Sequence, residues 1–513
     1  MATDLPPARS IAENPSQEQM REWALRYLGE RIQETEFSNL NYTAEVTARL
    51  KRSTFFVADS EIHQQRMPRA EAEQWARQQD EYIASRDMLL IEGYIGPDPD
   101  FRTGSRLYIE REQANIPAMQ QQLYFDRDDG WEPEFTVIYT PGLRAPGKPD
   151  DRLIIVNLDT YVTRVLGSDY FGESKMGGLR MWNKLIYDRG GLAMHAGAKV
   201  FPAEHVAAGQ EKLALIIGLS GTGKTTTTFR QQHASLPVQD DFVALMPGGE
   251  VRTTENGCFA KTFGLNPEDE PNIYGGTTDP RAWLENVSVD GDGRVDFHDT
   301  SYTANGRSTF PLEIIRHRDP RALPTADYLL ILNRNENIIP AVAKLERGQA
   351  AAYFMLGESK GTSAGGAAEA GRNLRVPGTN PFFFHNDARQ GNRLLELLDT
   401  MPDLEVYLLN TGRVGGTNGD ERSKKVKISH SSAIVAAIVD GSIEWEEDPD
   451  FGYAVATSVD GVDDPELLQP RRMYERQGRI GEYKERVETL KHERNEYLNR
   501  YEALDPSILA AVK

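Results

Sequence analysis

The sequence predicts an α/β protein with a mixed sheet in each of two large parts, and three observations carry that prediction. At roughly 150 residues per domain, 513 residues suffice for about two to four domains, each with its own core. Short β-branched runs, separated by Gly, Pro and Asp clusters, alternate with stretches of helical spacing. A glycine-rich loop follows directly on an apolar run.

Met1 to Pro15 is polar and lacks the apolar core of a signal peptide, so no export is expected. Residues 16–34 carry Met20, Trp23, Ala24, Tyr27 and Leu28 at helical spacing, and Glu71–Tyr82 is helix-permissive. Phe55–Val57, Met88–Tyr94, Phe135–Tyr139 and Leu153–Leu158 read as strands. From about residue 190 the strands are Gly-punctuated: Leu213–Gly218, Phe242–Met246, Asn286–Val289 and Tyr328–Asn333. Gly357–Gly371 is rich in Gly and Ala, the composition of a mobile loop where a lid could sit. Glu405–Asn410 reads as a strand, and Ser432–Val439 closes the globular part. Ile480, Tyr483, Val487, Leu490, Arg494, Tyr497, Tyr501 and Leu504 then follow a three-then-four spacing, a long amphipathic helix. Packing along its own domain and an intermolecular coiled coil both fit that helix. The boundaries follow: residues 1–190 form an N-terminal α/β domain, 191–465 a second mixed-sheet domain, and 466–513 a helical tail.

Charge and cysteine content narrow the function. With 58 Lys+Arg against 78 Asp+Glu the net charge is −20, which disfavours nucleic acid and anionic membrane as partners. The apolar runs, such as Leu213–Leu219 and Ala433–Val439, are far shorter than the ~20 residues a bilayer span needs. The single cysteine, Cys258, excludes an intramolecular disulfide and fits a reducing, cytoplasmic setting.

The strongest local signal is Gly218-Leu219-Ser220-Gly221-Thr222-Gly223-Lys224-Thr225-Thr226, a complete G-x-x-x-x-G-K-T behind the apolar run Lys212–Ile217. Its glycines let backbone N–H groups face a triphosphate, Lys224 reaches the β/γ-phosphates, and the Thr225 hydroxyl can ligate Mg²⁺. Asp240-Asp241 follows about 15 residues after Thr225. Adjacent carboxylates on an extended chain point to different sides, so each could serve a different cation position.

Several separated segments together resemble the ATP-type phosphoenolpyruvate carboxykinases. GLSGTGKTT at 218–226 is close to that family's nucleotide loop, and GTP-type relatives carry a different one. Tyr170-Phe171-Gly172-Glu173-Ser174-Lys175-Met176-Gly177 resembles its Y-x-G-E-x-K-K-G segment, and Met194-His195-Ala196 its M-H-C-S-A-N segment. Glu255–Thr262 resembles E-G-G-C-Y-A-K-T and is followed by Glu270–Tyr274. Glu285-Asn286-Val287, running through Asp296-Phe297 to Asn305-Gly306-Arg307, is similar to the E-N-V and N-T-R stretch, and Thr47-Ala48-Arg49 to T-G-R. The matches keep one order from residue 47 to about 440.

The resemblance implies a two-domain carboxykinase fold that decarboxylates oxaloacetate and phosphorylates the enolate with ATP, giving phosphoenolpyruvate, ADP and CO₂. Arg49 and Arg307 would hold substrate carboxylate and phosphate, Lys261 the γ-phosphate charge, and Tyr170 would line the substrate and CO₂ pocket. Lys175 would join them, and Glu270 would serve the nucleotide. His195 with Asp241 would ligate Mn²⁺, alongside Thr225 and Asp240. Lys425–Ser431 lies where the family places an Arg and a Thr at the adenine, making Lys425 and Ser431 the base contacts. Five cations would thus gather in one cleft of an acidic chain.

The departures cluster around that site. Met176 replaces the second lysine, a neutral metal ligand in the family, and a thioether is a poor ligand for hard Mn²⁺ or Mg²⁺. Ala196-Gly197-Ala198-Lys199 replaces C-S-A-N, Phe242-Val243 replaces acidic and His residues, and 361–371 differs from the family's T-x-x-G lid region. Beside the carboxykinase reading stand a divergent kinase of the same fold on another small carboxylate, and a nucleotide-binding regulator without turnover. The chain would act as a monomer or as a homo-oligomer through its C-terminal helix.

Overall fold

The computed structural model describes residues 4–60, 62–219, 221–361 and 371–512. It is mixed α/β and divides into two compact units: residues 1–188 with 253–316, and residues 189–252 with 317–513. The segment Thr253–Arg316 therefore clusters with the N-terminal residues rather than with the glycine-rich loop. Its strands supply the reason, because they pair with the strand Leu40–Tyr42.

The first unit is built on an eight-stranded mixed sheet. Its spatial order is Ser10–Glu13, Asp87–Ile95, Thr103–Glu110, Phe135–Thr140, Val162–Leu166, Leu153–Asn157, Thr54–Val57 and Arg66–Met67. Every residue of Thr103–Glu110 and Phe135–Thr140 is buried, because helices cover both faces. Ile138 packs with Ile83 of the helix Arg69–Ile83. Its neighbour Val137 points the other way, towards the helix Phe171–Asp188. That helix comes close because Gly177 lies there: a Cβ at this position would stand 3.0 Å from Val137 Cγ2. The helix Gln17–Tyr27 begins where Ser16 and Gln19 form a capping box. A second sheet runs Gly257–Lys261, Arg307–Pro311, Trp283–Glu285, Leu40–Tyr42, Ile32–Glu34. The expected strand Asn286–Val289 is broken, since Asn286 turns with φ +60° and only Ser288–Val289 is extended in a pair.

The second unit's main sheet runs Leu236–Gln239, Ala196–Phe201, Lys212–Ile217, Ala326–Asn333, Glu405–Asn410, Val342–Leu345, Ala454–Ser458, Glu444–Glu447. Lys212–Ile217, Ala326–Asn333 and Glu405–Asn410 are parallel, so their carboxyl ends lie on one edge. Open α/β sheets bind ligands at such an edge. Ser432–Val439 lies inside the helix Ile428–Asp440, whose Ile434, Val435, Ile438 and Val439 join the core over this sheet.

Within Gly357–Gly371, residues 362–370 lie outside the described residues; Glu358–Lys360 and Asn373–Arg375 flank them as an antiparallel pair. The helix Ile480–Leu498 spends its apolar seam inside its own unit. Ile480, Tyr483, Val487 and Leu490 pack with Ile338, Phe451 and Tyr474. Arg494 is buried, donating to Tyr353 Oη at 2.9 Å and to the Glu358 carboxylate. Among the described residues no helix is long and apolar enough to cross a membrane.

Candidate active site

In the first unit the cations stand on neighbouring strands. Lys261 and Arg307 are paired in register, and Arg307 is paired on its other side with Glu285. The Arg307 guanidinium lies 4.9 Å and the Lys175 ammonium 5.1 Å from the Phe259 ring centre, so one ring carries a cation contact from each. Phe171 meets the same ring edge-on at 5.0 Å. Its backbone N–H donates to Glu285 Oε1 at 2.8 Å, tying the start of the helix Phe171–Asp188 to the strand beside Arg307. Glu285 is fully buried, its Oε2 has no hydrogen-bond partner, and burial pushes its carboxyl up to about 8. Tyr170 is buried as well; burial raises its phenol, and its carbonyl accepts from Tyr139 Oη at 2.8 Å.

Arg49 lies in a loop fixed by two carboxylates that flank Tyr170. Asp169 accepts from the backbone N–H of Glu45 at 2.8 Å and of Val46 at 3.0 Å, from Tyr42 Oη at 2.9 Å, and from the Arg31 guanidinium. Glu173, fully buried, accepts from Leu50 N–H at 2.7 Å and from Arg180 at 3.0 Å. Lys175 does not stand in the open: its ammonium forms a buried ion pair with Glu255, Nζ to Oε1 2.8 Å. Met176 is buried beside it in the helix. Glu270 stands at the N-cap position of the short helix Pro271–Thr277.

The second unit holds the glycine-rich loop with its acidic partners. Gly221 and Gly223 have φ of +83° and +92°, the left-handed region in which a side chain is strained. The loop is braced at the sheet edge: Thr411 Oγ1 donates to Thr222 O at 2.8 Å, and Arg334 donates to Gly221 O at 3.3 Å. Gly218 and Leu219 lead into it from the strand, and Thr226 lies in the helix Lys224–Phe229. Ser220 lies outside the described residues. Lys224 Nζ donates to the Asp240 carbonyl and stands 3.9 Å from Asp241 Oδ1. Thr225 Oγ1 is 3.4 Å from Asp240 Oδ2, so the two carboxylates diverge.

His195 sits at the corner between the strands Leu192–Met194 and Ala196–Phe201. Its Nε2 is 3.1 Å from Asp241 Oδ1 and its Nδ1 3.3 Å from the Thr379 carbonyl. Burial, then Lys224, holds its pKa below the ordinary value. A carbonyl only accepts, so in the tautomer with its hydrogen on Nδ1 the ring presents the Nε2 lone pair to a carboxylate oxygen. Two acceptors so placed suit a cation between them. Two atoms each ~2.1 Å from one ion at right angles stand ~3 Å apart, so the donor set fits a divalent ion. Among the described residues no three His, Cys, Asp or Glu side chains form a metal-holding group.

The structure brings Arg307 and Lys261 together in one unit, and Lys224, Thr225, Asp240, Asp241 and His195 in the other. Lys425 is exposed on the strand Lys424–Lys425, and Ser431 lies in the first turn of the helix Ile428–Asp440. Sequence reading missed Asp169, Glu255 and Glu285 as organisers of the cations, and Thr411, Arg334 and Thr379 around the loop and His195. Thr411 had a usable signal, a polar residue directly after an apolar strand.

A family model described as phosphoenolpyruvate carboxykinase matches residues 9–465. The chain is 30% identical over 415 residues to phosphoenolpyruvate carboxykinase (ATP) 1 of Moorella thermoacetica, covering 77% of this chain and 75% of that protein. A second protein of that organism, phosphoenolpyruvate carboxykinase (ATP) 2, is 30% identical over 465 residues, 84% of either chain. Phosphoenolpyruvate carboxykinase (ATP) of Nitrobacter hamburgensis is 31% identical over 392 residues, 74% and 70%. With a match of this extent, the chain belongs to the ATP-type phosphoenolpyruvate carboxykinase family.

Proposed function

We propose that this chain is an ATP-dependent phosphoenolpyruvate carboxykinase, converting oxaloacetate and ATP to phosphoenolpyruvate, ADP and CO₂, the phosphoenolpyruvate-forming step of gluconeogenesis. The observation that carries this reading is the in-register pair of cations Lys261 and Arg307, in a chain matched to the family over residues 9–465. The carbon–carbon bond to the leaving carboxylate breaks as CO₂ departs, and its electrons form the enolate. The enolate oxygen then attacks the γ-phosphorus while the bond to ADP breaks.

In this reading Arg49 and Arg307 bind the dicarboxylate, since a guanidinium fork matches two oxygens. Tyr170 lines the place where CO₂ forms, Lys175 is held beside the substrate by Glu255, and Lys261 offsets charge on the γ-phosphoryl group. Gly218–Thr226 with Lys224 would hold the triphosphate of a nucleotide-binding domain, aided by Glu270, with the base near Lys425 and Ser431. His195 and Asp241 would hold Mn²⁺, and Thr225 and Asp240 would serve Mg²⁺ on the nucleotide. Bound there, a divalent ion supplies Lewis-acid stabilisation of the developing phosphoryl charge. The His195 Nδ1 contact with Thr379 keeps the ring turned for that task. The single cysteine supports a cytoplasmic enzyme, and the buried seam of the C-terminal helix supports a monomer.

The decisive assay is ADP-dependent carboxylation of phosphoenolpyruvate with bicarbonate and Mn²⁺, with Lys224→Ala as control. No oxaloacetate under any divalent metal, with ATP still bound, defeats the reading. A second reading, a kinase of the same fold acting on another small carboxylate, draws on Met176. Gain of Mn²⁺ affinity or carboxykinase activity in Met176→Lys supports the loss of a metal ligand at this position, and no change counts against placing Met176 there.

A further inference from the structure

We propose that Lys199 is a positioning residue for nucleotide binding: its ammonium caps the C-terminal turn of the helix Lys224–Phe229 and so sets where Lys224 and Thr225 stand. The proposal rests on the reading that Gly218–Thr226 binds a triphosphate.

Lys199 is fully buried in the strand Ala196–Phe201. Its Nζ donates to Thr227 O at 2.9 Å, to Arg230 O at 2.7 Å and to Gln232 Oε1 at 2.5 Å. These three acceptors use all three hydrogens of an ammonium. Two are carbonyls at the negative end of the helix, and Arg230 is its C-cap residue. The strand pairs on one side with Lys212–Ile217, which leads into the glycine-rich loop. On its other side it pairs with Leu236–Gln239, which leads to Asp240. That second pairing slips between Ala198 and Lys199, an irregularity of the kind that re-aims a side chain. Gly197 lets the helix close on the strand, since a Cβ there would stand 2.0 Å from Thr228 Oγ1.

The helix spans six residues and has no side-chain cap at its start. What grips its last turn therefore governs its first, where Lys224 donates to the Asp240 carbonyl and Thr225 lies 3.4 Å from the Asp240 carboxylate. An apolar side chain at 199 would remove this donor from the buried Thr227 carbonyl, the part-buried Arg230 carbonyl and the Gln232 amide oxygen.

Burial lowers Lys199 to about 7. The titratable residues on the surrounding elements are His195, Lys212, Lys224, Arg230, His233 and Asp240; no side chain of theirs hydrogen-bonds to Lys199. Above about pH 7 the amine keeps two hydrogens for three acceptors, and the grip weakens. The native state then binds fewer protons than the unfolded chain between about 7 and the ordinary lysine range, so this group's contribution to stability rises with pH there. Nucleotide affinity falls over the same window, a divergence that a purely structural role does not produce.

The test is calorimetric titration of the full chain with MgATP, for the wild type, Lys199→Met and Lys224→Ala, from about pH 6.5 to about 8.5. The expected result is an affinity about tenfold weaker in Lys199→Met at low pH, with a wild-type affinity that declines as pH rises and a variant affinity that does not. A folded Lys199→Met that binds within about twofold of the wild type at pH 6.5 overturns the proposal. If the variant does not fold, the wild-type series decides alone, and an affinity constant across the window overturns it. Undiminished binding by Lys224→Ala defeats the triphosphate reading itself; loss in that variant beside an unaffected Lys199→Met defeats only the role of Lys199.

Discussion

Lys175 and Glu255 form an ion pair inside the first unit, Nζ to Oε1 2.8 Å, with 4% and 6% of their side chains exposed. A buried pair of this kind adds little over an apolar pair of equal shape, but losing one partner leaves an uncompensated charge. Glu255→Gln is therefore expected to lower stability by ~3–5 kcal/mol in urea denaturation. The double variant Lys175→Met, Glu255→Leu should recover a large part of that loss. A Glu255→Gln protein as stable as the wild type would show that water already reaches the pair.

Asp169→Asn tests how Arg49 is placed. The carboxylate holds the backbone of Glu45 and Val46, the Tyr42 hydroxyl and the Arg31 guanidinium, and an amide cannot accept from all four. KM for oxaloacetate is expected to rise about tenfold, with MgATP affinity unchanged. Equal losses in both affinities would indicate general unfolding rather than a displaced loop.

Much of the fold was legible because its strands announce themselves. Glu405–Asn410 was read with its observed limits, and Phe135–Tyr139 and Leu153–Leu158 each to within one residue. Thr103–Glu110 was missed, although it is buried along its whole length, since Arg106, Ser105 and Glu110 disguise it as a polar segment. The helix Arg347–Leu356 was also missed: it is buried from Gln349 to Leu356, so no polar face marks a period. At the site Glu255 and Glu285 fall inside segments that the sequence marks, yet nothing local told what they hold, and Asp169 carried no mark at all. Their work is to hold side chains and backbone N–H groups across long sequence separations, which a local pattern does not reveal.

Glu285 makes the second unusual ionisation a stability question. Its carboxyl sits at about 8 against an ordinary 4.5, because it is buried with one oxygen unpartnered. The folded state thus binds more protons than the unfolded chain between those values, and this group's contribution falls as pH rises through that window. Glu285→Gln, which keeps an acceptor for Phe171 N–H, removes the titration. Denaturation at about pH 5 and about pH 9 should show the wild type losing a few kcal/mol more than the variant. Parallel losses in the two proteins would place the ionisation elsewhere.

Arg494 decides between two uses of the C-terminal helix. Its guanidinium is spent on Glu358 and Tyr353, and Arg375 reaches the same helix through the carbonyl of Glu493 at 3.2 Å. The helix therefore anchors the strand pair Glu358–Lys360 and Asn373–Arg375. Arg494→Met leaves the Glu358 carboxylate buried without that partner and is expected to cost ~3–5 kcal/mol. Removing residues 480–513 uncovers Ile338, Phe451 and Tyr474, so the shortened chain should bind a hydrophobic dye and unfold at lower temperature. Light scattering of the full chain should give the 57.5 kDa of a single copy. A doubled mass that halves on truncation would mean that the seam is shared between two chains, and Arg494→Met would then weaken assembly rather than the fold.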